Sequence, residues 1–152
     1  MNGAHLHLVL NHLPVILAPT GLVVLALGLL RRNAEFTKVG LGVIFAAALF
    51  TVPTYFSGEA AADVVGDLPG VNADDIARHA AVALQAFVVA GIAGLAALAA
   101  LLLALRGKAA PPWLMIATLV LAVASSGWFA VTANLGGLIR HPEIREAAST
   151  VR

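Results

Sequence analysis

The chain contains no cysteine. That excludes disulfides, thiolate metal sites, cysteine-ligated iron–sulfur clusters and covalently attached c-type haem. Charge is scarce as well. Only 11% of residues are charged, nine basic against eight acidic, and so even a balance suggests no nucleic acid or other polyanion as partner. No glycine-rich loop is shaped to cradle phosphate, and no serine–histidine–acid arrangement offers acyl transfer. A basic n-region is missing from the start. The first basic residue is Arg31, after the first apolar run, so that run is expected to be a retained transmembrane helix and not a signal peptide.

What is abundant is apolar surface. Hydrophobic residues make up 61% of the 152, with mean hydropathy +0.95, against about half in a soluble domain. Four stretches without a charged residue reach about the 20 residues a spanning helix needs: Leu6 to Leu30, Val39 to Phe56, Ala80 to Leu105 and Pro112 to Leu135. The connections RRNAEFTK and RGKAAP are short, which sets successive helices antiparallel. The expected fold is all-α, an integral membrane up-down four-helix bundle in one domain. Its helices should run over about 6–30, 39–57, 73–105 and 112–135, with an acidic loop at 58–78 and a tail at 136–152.

Basic residues in the short loops set orientation. The first loop carries Arg31, Arg32 and Lys38, and the third carries Arg106 and Lys108. The second holds five acids and only Arg78, whereas Arg140, Arg145 and Arg152 in the tail weaken the bias. Both termini and the acidic loop are thus expected on the outer, periplasmic side of a cell inner membrane. Within that loop, GVNADD offers Asn72 as N-cap, with Asp74 and Asp75 in the first turn of a long third helix. Glu59, Asp63 and Asp67 share i, i+4 spacing and read as a solvated stripe. Gly136–Gly137 reads as a helix C-cap. Ala90, Gly91 and Gly94, with Ser125, Ser126 and Gly127, are small residues suited to helix contact in lipid.

The histidines then stand out. His5, His7 and His12 open the first span, His79 opens the third and His141 follows the fourth, so all five fall on one side of the bundle. His5 and His12 are seven residues apart and share one helical face, separated by about 10 Å along the axis. His7 and Asn11, four apart, share another. His12 should sit deepest, and an ionisable residue inside a span reads as functional. Pro14 and Pro19 follow, freeing the carbonyls of Leu10 and Val15 and bending the helix. Taken singly, each histidine has an ordinary reading, such as a snorkelling side chain or a cation at a helix end. Taken together they read as one site.

Two chemistries suit a cysteine-free histidine cluster. One is haem b, one or two, held by pairs of imidazoles from facing helices. The other is Zn, Cu or non-haem iron held by three histidines with Glu59 or Asp63. His-x-His and His-x4-His spacing does not separate them.

At these residues the chain resembles a group of small bacterial four-helix, histidine-rich membrane proteins. The resemblance is carried by HLHLVLNHLP (His5 to Pro14), GEAA (Gly58 to Ala61), ARHA (Ala77 to Ala80) and GGLIRHPE (Gly136 to Glu143). The group's pattern has acidic residues near position 62 and directly after the third-helix histidine, where this chain has Ala62 and Ala80. That departure disfavours a carboxylate-assisted metal site. The resemblance implies a haem-carrying or accessory role in a respiratory or photosynthetic membrane assembly.

The functional expectation is a b-type electron-transfer protein, with ligands drawn first from His12 and His79, then His5, His7 and His141. Asn11, Arg140 and Glu59 would support them, arginine by pairing with a haem propionate. A quinol pool, other membrane subunits of a redox complex or a second copy would be its partners. The alternatives are an accessory subunit without catalysis, and a metal-ion binding protein that would use these histidines and Glu59.

Overall fold

A computed structural model describes residues 3–141. These form six helical segments and, among the described residues, no strand. They are α1 (Gly3–Leu10), α2 (His12–Leu30), α3 (Ala34–Phe56), α4 (Gly58–Gly66), α5 (Ala73–Leu105) and α6 (Pro112–Arg140). α1 and α2 form one 28-residue stretch, interrupted at Asn11. The interruption follows from Pro14, which has no N–H to offer the Leu10 carbonyl. Pro19 sits inside α2 without ending it. Four stretches, Gly3–Leu30, α3, α5 and α6, are long and apolar enough to cross a bilayer.

The four long helices form a ring. α2 packs on α3, α3 on α5, α5 on α6 and α6 on α2, which leaves α2 diagonal to α5 and α3 diagonal to α6. Small residues line the centre. Ala93, Ala97 and Ala100 of α5 meet Leu25 of α2, Leu41 of α3 and Ala122 of α6, all buried. Glycines let the backbones approach further. A Cβ on Gly28 would sit 2.5 Å from the Thr37 backbone nitrogen. On Gly40 it would strike the backbone of Leu25, and on Gly94 the side chain of Ala48. Buried hydroxyls are satisfied within their own helices: Thr118 donates to the Leu114 carbonyl and Ser125 to that of Leu121, both at 2.8 Å. The outward faces carry Leu95, Ile116 and Val120, each more than half exposed, as expected of helices whose outer side meets lipid.

Several boundaries differ from expectation. α3 starts at Ala34, not near 39, because Asn33 caps it by accepting from the Phe36 N–H at 3.0 Å, and Lys38 pairs with Glu35 at 2.9 Å along the added turn. The acidic loop is partly helical, since α4 occupies Gly58–Gly66 with Glu59 and Asp63 exposed. α5 begins where GVNADD places it. Asn72 accepts from the Asp74 N–H at 2.9 Å, and 33 residues follow without a break, about 50 Å at 1.5 Å per residue. Gly136–Gly137 does not cap α6, which runs through both to Arg140. The rest of the expected tail, including Glu143, Arg145 and Arg152, lies outside the described residues.

Candidate functional site

Antiparallel packing brings the start of α1, the α3–α4 junction, the start of α5 and the end of α6 to one end of the bundle. His7 and His79 are half-buried there, on diagonal parts of the ring. His7 Nδ1 is 2.9 Å from the Thr54 carbonyl oxygen. His79 Nδ1 is 3.0 Å from the Thr132 carbonyl oxygen. A carbonyl only accepts, so both rings must carry their proton on Nδ1, and in a neutral imidazole the lone pair is then left on Nε2. Metal-ligating histidines are oriented by this same bond.

The two seats repeat each other. Each ring lies over the glycine four residues beyond its threonine. A Cβ on Gly58 would meet His7 Cε1 at 3.6 Å, and one on Gly136 would meet His79 Cε1 at 3.2 Å. TYFSG (Thr54 to Gly58) and TANLG (Thr132 to Gly136) are thus equivalent docking segments, one at the end of α3 and one near the end of α6. They share only the threonine and the glycine, and the difference that bears on the ring is at the fourth position. Ser57 is buried, donates to the Thr54 carbonyl at 3.0 Å and places its Oγ 3.3 Å from His7 Nδ1. The corresponding Leu135 has no hydroxyl to offer His79.

The other expected site residues separate from this pair. His5 and His12 do share a face, but it is the exposed one, so His12 does not point into the bundle. The inward face belongs to His7 and Asn11, and the Asn11 Oδ1 is buried with no hydrogen-bond partner among the described residues. His141 is exposed at the α6 C-cap, its backbone N–H bonded to the Gly137 carbonyl at 3.0 Å. Arg140 is exposed and continues the stripe of Thr132 and Gly136 by one more turn. Glu59 is exposed on α4. Among the described residues, no three histidine or acidic side chains are grouped to hold a metal ion. The expected three-histidine site with Glu59 or Asp63 is therefore not assembled: His5, His12 and the acidic stripe face away from the bundle.

Thr54, Ser57, Gly58, Thr132 and Gly136 had no place as seats in the sequence reading. The signal was there as a T-x3-G spacing ending both returning helices. An aromatic cluster lies beside the first seat, with Tyr55 stacked on Phe87 at 4.7 Å between ring centroids and Phe56 edge-on to both. Comparison with family models, with curated proteins and with solved structures finds no match.

Proposed function

We propose that this chain is a membrane-embedded b-type haem protein, an electron-transfer subunit whose two ligands are His7 and His79. The observation that carries the reading is the matched pair of imidazoles, each with Nδ1 committed to a helix carbonyl and Nε2 left as the donor. Such a pair could hold one haem, with one imidazole supplied by each of two helices. A haem held there would supply a one-electron couple. The chain's own part is to fix both tautomers, to offer Arg140 to a propionate at the outer rim, and to hold water away with Tyr55, Phe56 and Phe87.

The fit rests on donors and on location. At this end α1 packs on α4 and α3, while α5 packs on α6, and α1 makes no comparable contact with α5 or α6. That is where a planar group would enter between the halves. The void of about 10 Å³ among Ala18, Ala47, Ala90 and Phe129 lies deeper and is far too small. One matched pair argues for one haem and not two. The four apolar helices, the basic loops and the acidic segment support a site at the outer face of an inner membrane. From there it would exchange electrons with a quinol or with neighbouring subunits. The motif resemblance to small histidine-rich membrane proteins agrees with this.

The test is a reduced-minus-oxidised spectrum of the purified protein, expressed with haem available. The expected result is a Soret band with sharp α and β bands on reduction. A protein without a Soret band, still folded and helical, would leave the accessory-subunit reading in its place.

A further inference from the structure

The two seats share a plan but differ in room, and this deepens the haem reading on which it rests. The His79 ring lies so near Gly136 that it would have to give by a few tenths of an ångström to admit a methyl group there, since 3.2 Å is tighter than ordinary carbon contact. Its helix, α5, is 33 residues long, capped by Asn72 and buried along six positions. The His7 ring has slack. It lies 3.6 Å from an added Cβ on Gly58, an ordinary contact distance. Its Nδ1 has two oxygens in reach, Thr54 O and Ser57 Oγ. It rides on α1, eight residues with none buried, separated from α2 by the interruption at Asn11. α1 leans on α4, where Gly3 meets Ala60, as well as on α3 and α2. Segments with few buried apolar contacts open at lower free energy than those built into a core.

We propose that the two imidazoles are unequal: His79 is the fixed ligand, set by Gly136, and His7 is the yielding one, carried on α1 about Asn11. Haem then enters and is released on the His7 side. Gly136 is a positioning residue that acts on the site through the His79 ring.

Two measurements on the full chain in nanodiscs test this, one of them independent of haem. With haem synthesis blocked, ¹⁵N-histidine spectra of the protein should show Nδ1–H tautomers for both His7 and His79. Gly136→Ala should shift the His79 signals and leave those of His7. Gly58→Ala should move neither ring substantially, and Gly137→Ala, whose Cβ would meet nothing within 4 Å, is the helix-matched control. With haem available, His7→Ala should keep most of its haem, with the high-spin spectrum of a haem held by one imidazole. His79→Ala should lose it. Equal responses to Gly58→Ala and Gly136→Ala, or haem kept by His79→Ala and lost by His7→Ala, would overturn the inequality. If the wild-type chain binds no haem, the haem reading falls, and the tautomer spectra alone decide whether Gly136 sets the His79 ring.

Discussion

Gly40 lies flat against Leu25, so near that a single methyl group on it would meet the Leu25 backbone nitrogen, Cα and Cβ together. The contact fixes how closely α2 and α3 approach. A flexible neighbour could turn aside, but a helix backbone can give only by moving the whole helix. Gly40→Ala gains about 1 kcal/mol of helix propensity and loses more by overpacking, typically about 1–3 kcal/mol. The expected outcome is a net loss of stability in detergent, read from the unfolding midpoint. Gly42→Ala, whose Cβ would meet nothing within 4 Å, should be neutral or slightly stabilising. Equal behaviour of the two variants would rule out the close approach.

The start of α5 depends on one side chain. Asn72 caps that helix, accepting from the Asp74 N–H at 2.9 Å. Asn72→Ala should cost about 1 kcal/mol, localised at the first turn. Hydrogen exchange should quicken at Asp74 to Ala77 and stay unchanged below His79, while Asn72→Asp keeps its oxygen and its protection. Fast exchange spreading down the whole of α5 would instead mean that the cap holds more than its own turn.

Helix existence was legible because length and hydropathy decide it, and Asn72 was legible because a cap has a local cause. Orientation about each axis was not. A helix that is apolar all round gives no hydrophobic stripe to separate core from lipid, so Gly91 and Gly127 looked as suitable for contact as Ala90 and Gly94. The structure buries Ala90 and Gly94, while a Cβ on Gly91 or Gly127 would meet nothing within 4 Å. The histidines show the same limit. Spacing divided them into a His5–His12 face and a His7–Asn11 face, yet only the neighbours, Thr54 and Gly58, determine which face turns inward. Gly136 misled for a related reason. A glycine near a helix end suggests a cap, whereas here its missing side chain makes room for His79.

If the exposed histidines are only surface groups, removing them together should be silent at the site. The His5→Ala, His12→Ala and His141→Ala triple variant should keep the wild-type spectrum and helicity. A changed Soret band in the triple variant would bring the outer face of α1 back into the site. Equal loss of partner association without spectral change would identify that face as a contact with another subunit.

The absence of native cysteine turns the membrane reading into a clean labelling experiment. Asp67 and Lys108 are both exposed, and they stand at opposite ends of α5, separated by about 50 Å of helix. Positive charge concentrates at the Arg31–Lys38 and Arg106–Lys108 turns, and acidic charge at the α4 end, so the orientation to test has the basic side in the cytoplasm. In intact cells, an impermeant maleimide should label Asp67→Cys and not Lys108→Cys, while opened membranes should label both. Lys38→Cys should follow Lys108→Cys, because α3 begins at the end where α5 finishes. The reverse pattern would invert the orientation and put the His7–His79 pair on the cytoplasmic face, yet it would leave the pair at one end of the bundle. Labelling of both sites in intact cells would remove the spanning arrangement altogether, and with it the outer-face electron-transfer role.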